Sequence, residues 1–271
     1  MAKYLKLFDT HAEYEAFIQT DFDKPNVSYC KDNNDVHYNP LPYQGFCKLT
    51  LNNGSTVELE GSGELVNTMV GSYKESLVSA EIGELCTSIG DGAFSGCSKL
   101  TSIDIPNSVT SIGGGAFSGC SDLTSVTIGN GVTSIGGIVF QSCSNLVEMY
   151  YNAKVELNTS FTDGLNNLEI LVIGDSTPSI DYAAFNGFKN LTSVTIGSGV
   201  TSIDDYAFAH CSNLTSIRSL ATTAPTIQYS TFQNVKENGT LTVPSGSTGY
   251  DTWMATGNYY LGKYTWTKVE Q

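Results

Sequence analysis

LTSIDIPNSVTSIGGGAFSGCSD (residues 100–122) runs straight into LTSVTIGNGVTSIGGIVFQSCSN (residues 123–145), and the phrase returns as LTSVTIGSGVTSIDDYAFAHCSN (residues 191–213). Each copy is 23 residues long. A fixed period in this range decides the fold, because each unit is one small piece of chain that can bury its apolar side only against its neighbours. Leu77 opens an earlier copy that closes on CTSIGDGAFSGCSK (residues 86–99), and Leu168 opens LEILVIGDSTPSIDYAAFNGFKN (residues 168–190). Leu214 opens a stretched copy ending near Phe232, Leu146 a degenerate one of 22 residues, and GTLTVP (residues 239–244) reads as a last strand. Seven units and a closing strand are expected.

Within a unit, apolar residues stand at the first, fourth and sixth places (Leu123, Val126, Ile128), the tenth and thirteenth (Val132, Ile135) and an aromatic eighteenth (Phe140). Alternation over the first six places predicts a strand with one face inward. The fourteenth place holds Gly90, Gly113, Gly136, Asp181 or Asp204. These types tolerate a left-handed turn, which is expected there. Stacked coils of this kind would set their strands about 4.8 Å apart in a parallel ladder. The aromatic place (Phe94, Phe117, Phe140, Phe185, Phe208, Phe232) then becomes an internal stack. Cys97, Cys120, Cys143 and Cys211 share the twenty-first place with Leu165, Phe188 and Val235, so they are expected to be buried free thiols. Parallel side chains about 4.8 Å apart also exceed the usual disulfide Cβ separation of roughly 3.5–4.5 Å.

Composition agrees with a folded chain of unusual surface. Apolar residues make up 40 % of 271, enough for a core, while charged residues are only 15 %, which leaves Ser, Thr, Asn and Gly to cover the outside. The net charge of −14, with no basic cluster, excludes nucleic-acid binding. No apolar run approaches the roughly 18 residues of a membrane span, and MAKYLKLFDTHAEYEAF lacks the apolar core of a signal peptide. Membrane insertion is not expected.

The repeated phrase resembles the BspA-like class of leucine-rich repeats, whose unit reads LTSVTIxxxVTSIGxxAFxxCSN, from about Leu77 to Pro244. The resemblance implies a solenoid with a protein-binding or adhesive role at a bacterial or protozoal surface, and it transfers no catalytic residue. It also implies secretion. The opening segment, MAKYLKLFDTHAEYEAFI through PNVSYCKDNNDVHYNP, is similar to an N-terminal module recurring in proteins of gut anaerobes and their phages. Thr10 and Glu13 form a capping box ahead of a short helix at HAEYEAFIQ, and NVSYC and VHYNP flank KDNND as a hairpin. Such a module could dock the solenoid to a larger assembly or cover its first edge.

Four segments are therefore expected: a small α+β N-terminal module at 1–46, an N-terminal cap at 47–76, the leucine-rich repeat solenoid at 77–244 and an aromatic C-terminal cap at 245–271. The first cap should comprise two strands around Asn52-Asn53-Gly54 and a helix near Glu64 to Lys74. The last segment has no period but holds Trp253 and Trp266 with Tyr250, Tyr259, Tyr260 and Tyr264, an aromatic cluster that either covers the final coil or presents ring faces to a sugar. The fold class is a β-rich solenoid with a parallel strand ladder.

Chemistry is sparse. The histidines are His11, His37 and His210. His210 precedes Cys211, but it occupies the place of Gly96 and Gly119 and should point out while the thiol points in. Gly90-Asp91-Gly92 and Gly113-Gly114-Gly115 lack the Lys-Ser/Thr of a phosphate loop, and Asp32 to Asp35 lack the Gly and closing Glu of a calcium loop. No catalytic residue, no metal and no cofactor is expected. A binding function would use the outward third and fifth places of the strands, where Ser and Thr are the default. Units four and five depart from it with Glu148, Tyr150, Ile170 and Val172. An apolar patch among hydroxyls is a candidate contact site for a protein or glycan, with Tyr150 as anchor. Alternatively, the chain's own loop at residues 152–160 covers it. The expected function is non-enzymatic protein binding or adhesion, extracellular or at a cell surface. The alternative is a structural or receptor-binding part of a phage or surface assembly, virion-associated and docked through residues 1–46.

Overall fold

The computed structural model describes residues 43–271. The helix and hairpin expected before residue 43, with Cys30, His11, His37 and the Asp32–Asp35 loop, lie outside the described residues.

Strands at the start of each unit form the expected ladder. β4 (Leu77–Ile82), β6 (Ser102–Ile105), β8 (Ser125–Ile128), β10 (Glu148–Tyr151), β11 (Ile170–Ile173), β13 (Ser193–Ile196), β15 (Ser216–Ser219) and β17 (Thr240–Val243) stand side by side and parallel. Register follows the period: Ser102 faces Ser125, which faces Glu148, which faces Ile170, which faces Ser193. Inward places are sealed. Leu100, Leu123 and Leu191 are all fully buried, as are Ile128 and Ile196, each worth roughly 1.5–3 kcal/mol of transfer free energy.

Between ladder strands each coil adds a second short strand. β5 (Cys86–Ile89), β7 (Ser111–Ile112) and β9 (Ser134–Ile135) stack behind β3 (Gly63–Leu65), and β12 (Ser179–Ile180), β14 (Ser202–Ile203) and β16 (Thr226–Ile227) form a separate stack. Unit four interrupts this second ladder. There a one-turn helix, Thr159–Thr162, is capped by the Asn158 side chain accepting from Phe161 N–H.

The phenylalanine row is an internal stack in two runs. Phe94–Phe117 and Phe117–Phe140 lie 5.3 and 5.4 Å apart, within 9° of parallel; Phe185–Phe208 and Phe208–Phe232 repeat this at 5.4 and 6.1 Å. Unit four has no aromatic at that place, and Phe161 fills the gap edge-on to Phe140.

The left-handed turn lies elsewhere than expected. Positive φ occurs two places later, at Gly92, Gly115, Ile138, Ala183 and Tyr206, and again at the twentieth place, at Gly96, Gly119, Ser142, Gly187 and His210. The fourteenth-place glycines serve another purpose: a Cβ on Gly113 would strike the backbone of Asp91, and one on Gly136 that of Gly114. Glycine there permits close approach of successive coils.

The hydroxyl skin is also structural. Thr124 Oγ1 donates to the Thr101 carbonyl at 3.0 Å, and Thr110 and Thr133 Oγ1 donate to the carbonyls of Thr87 and Thr110 at 3.0 and 3.2 Å. Each bond reaches back one coil, 23 residues.

At the first edge, β1 (Cys47–Leu51) and β2 (Thr56–Leu59) form a hairpin around Asn52-Asn53-Gly54, and β1 pairs antiparallel with β4. The helix expected near Glu64 to Lys74 is reduced to Asn67–Val70, because Gly63–Leu65 instead extends the second ladder alongside β5. At the other edge, the aperiodic tail contributes a further ladder strand, β18 (Thr267–Glu270), parallel to β17. Trp253 is fully buried against Phe232, at 5.3 Å between centroids, with its indole N–H donating to the Pro225 carbonyl. Trp266, 5 % exposed, donates to the Lys236 carbonyl. Both indoles and Tyr250 are inside and cover the final coil, while Tyr259 and Tyr260 stay partly exposed.

Candidate functional site

Alternation along each strand places one row of side chains in the core and the next outside. On β10 and β11 the outward residues are those singled out from sequence: Glu148 faces Ile170 and Tyr150 faces Val172 across the parallel pair. The four form one block, flanked by Ser125 and Thr127 on one side and Ser193 and Thr195 on the other. They are not equally available. Ile170 is 39 % exposed, Glu148 and Tyr150 are half-buried, and Val172 is 8 % exposed. Val172 therefore packs as a buried residue although it belongs to the outer row, and Ile170 is the apolar group that solvent reaches.

Residues suggestive of nucleophilic chemistry are kept apart. Cys211 is fully buried and its thiol donates to the Phe185 carbonyl at 3.2 Å, while the exposed His210, held at φ 60°, turns its ring to the Asn234 amide. Cys120 and Cys143 bond in the same way to the carbonyls of Phe94 and Phe117. Burial pushes the Cys97 and Cys143 thiols up to about 11 and that of Cys211 up to about 12, the opposite of what a nucleophile needs. All six described cysteines are free and buried. Among the described residues, no group of three or more His, Cys, Asp or Glu side chains converges as a metal site. A cleft of about 290 Å³ beside unit four is lined by Gln141, Ser142, Ser144, Gly164, Asn166 and Asn167, none of which titrates.

One feature escaped sequence reasoning. The turn after the second strand is glycine-rich in units one to three, but reads DYA at 181–183, DDY at 204–206 and QYS at 228–230. Tyr182 and Tyr229 are 60 % and 54 % exposed there. The signal was present as a tyrosine two or three residues ahead of the core phenylalanine, but it does not recur at one fixed place.

Over residues 72–163 and 156–258, six copies match the model of the family described as BspA type Leucine rich repeat region. No curated protein matches the chain. Solved structures similar to it include a leucine-rich repeat protein from Eubacterium ventriosum, 24 % identical over 73 % of this chain and 47 % of that one, with a TM-score of 0.49. A leucine-rich repeat protein of T. pallidum is 25 % identical over 50 % of this chain and 68 % of that one, with a TM-score of 0.40. One from Bacteroides ovatus is 20 % identical over 70 % and 47 %, with a TM-score of 0.46. The chain thus spans about half the length of the first of these.

Proposed function

The chain belongs to the BspA-type leucine-rich repeat family, and from that premise we propose that it is a non-enzymatic, adhesive protein-binding module acting outside the cell or at its surface. The observation that carries the proposal is the block Glu148, Tyr150, Ile170 and Val172, where an exposed isoleucine beside a tyrosine interrupts a row of outward residues that from β4 to β17 is otherwise made of hydroxyls and charges. Isolated exposed apolar residues are ordinary, but here Ile170 stands beside a tyrosine and a carboxylate on a surface that stacking holds rigid. A preordered face avoids most of the side-chain and loop ordering that association otherwise costs.

Scale supports a protein rather than a small molecule. Nine parallel strands at about 4.8 Å spacing make a face about 38 Å long, and a strand length of four residues, two of them outward, gives it a width of roughly 13 Å. That is about 500 Å², short of the roughly 800 Å² per partner of a standard interface, so a partner would also touch the rims of the ladder.

The test is binding of the full chain to a panel of purified extracellular-matrix proteins and mucins by biolayer interferometry, alongside Ile170→Asp. A ligand whose binding falls at least tenfold in Ile170→Asp, at unchanged melting temperature, supports the proposal. A ligand bound equally well by both chains removes the ladder face as the site.

A further inference from the structure

We propose that the turn edge of units five to seven is a second binding surface, separate from the ladder face, and that it takes a basic polypeptide segment whose Lys or Arg side chains lie on exposed tyrosine rings. Two edge-to-face tyrosine pairs occupy this edge. Tyr182 and Tyr206 meet at 5.7 Å between centroids, and Tyr229 and Tyr259 at 5.4 Å. Tyr182 and Tyr229 are more than half exposed. The pairs are fixed to one frame: Ala183 N–H donates to the Asp205 carbonyl, Ser230 N–H to the Asp205 carboxylate at 2.6 Å, and Tyr259 N–H to the Tyr229 carbonyl. A ligand would meet the rings already in place.

The chain itself shows what the rings accept. Lys263 Nζ lies 4.0 Å from the centroid of Tyr259, a cation seated on the last ring of the row. Charge on the same edge has the complementary sign. Asp181, Asp204 and Asp205 alternate with the tyrosines, and no ion pair among the described residues involves them. Burial raises the Asp181 carboxyl above the usual range; the Ser179 hydroxyl opposes this, and the nearby charges of Glu156 and Asp204 add to it. A cation laid beside the Asp181 carboxylate would offset the charges of Glu156 and Asp204 that act on it. The N-terminal half of the same edge, at residues 90–92, 113–115 and 136–138, offers no ring and carries a single carboxylate, Asp91.

The test uses the full chain and labelled decapeptides, with fluorescence anisotropy at low and at physiological salt. The probes are five Lys-Gly repeats, five Gln-Gly repeats and a neutral linear hexasaccharide. The Lys-Gly peptide is expected to bind, and the other two not. Removing two rings in Tyr182→Ala/Tyr229→Ala should weaken it about four- to twenty-fivefold, at about two- to fivefold per ring, whereas Tyr182→Phe/Tyr229→Phe should stay within about twofold. Because a chain of charge −14 attracts any polycation, Glu60→Gln/Glu84→Gln at the far end is the charge control and should also stay within about twofold. The proposal is overturned if the Ala pair weakens binding no more than the Glu pair, if the hexasaccharide binds through these tyrosines in preference to the peptide, or if the Lys-Gly peptide does not bind. Both tyrosines are exposed, and an unchanged melting curve for each variant confirms that folding is intact.

Discussion

Replacing Phe117 by Ala removes the middle ring of the first aromatic run. Phe117 is fully buried, with Phe94 at 5.3 Å and Phe140 at 5.4 Å, both within 9° of parallel. Truncating a buried Phe to Ala costs about 3–5 kcal/mol in lost transfer free energy and residual cavity. Two stacked contacts, each worth about 0.5–1.5 kcal/mol beyond area, are lost at the same time. Collapse into the hole is opposed because neighbouring coils are held by backbone bonds such as Phe117 N–H to the Val139 carbonyl and Phe94 N–H to the Ala116 carbonyl. The expected loss is therefore at the upper end, about 4–5 kcal/mol, a large share of the roughly 5–15 kcal/mol of a typical domain. Urea unfolding followed by far-ultraviolet circular dichroism measures it, with Phe140→Ala as comparison. Phe140 is equally buried, stacks on Phe117 and meets Phe161 edge-on, so it should cost about as much as Phe117. Because stacked coils behave as a nearest-neighbour array, the m-value is checked too; a fall would mark unfolding of one end rather than of the whole. A loss below about 1 kcal/mol would refute the stack as a structural element.

Other perturbations separate the remaining roles. Gly136→Ala would push a Cβ into the Gly114 backbone and should destabilise, whereas Gly137→Ala, with nothing within 4 Å, should be neutral or raise stability by about 0.4–1 kcal/mol; thermal melts of the two decide. The cysteine thiols should resist a thiol-reactive dye until unfolding. Because burial raises their folded pKa above the ordinary 9.0, their contribution is intact below pH 9 and is lost as pH climbs through about 11 for Cys97 and Cys143 and about 12 for Cys211. Urea midpoints at pH 8 and pH 10.5 measure it, and no fall between them would contradict the burial. Val172→Ser should cost about 1–2 kcal/mol by urea titration despite its place in the outer row, while Ile170→Ser should stay within about 0.5 kcal/mol.

The amino-acid sequence by itself determined the coil, its length and its inward places. Leu100, Leu123 and Leu191 are stacked because identical residues at a fixed separation meet identical surroundings, so one local pattern specifies every contact between like places. The phenylalanine row and the inward cysteines follow from the same rule. What lies between unlike places was decided by the tertiary structure. The left-handed residue is at Gly115 and Ile138 rather than Gly113 and Gly136, because the fourteenth place is limited by the approach of the preceding coil's backbone and the chain reverses two residues later. β18 pairs with β17 although no repeat announces it, since Trp253 and Trp266 cover the last coil where the period would have supplied Leu and Phe. Val172 is buried although alternation turns it outward, and Tyr229 meets Tyr259 thirty residues away. Such contacts join positions whose separation no period fixes, so only the folded chain brings them together.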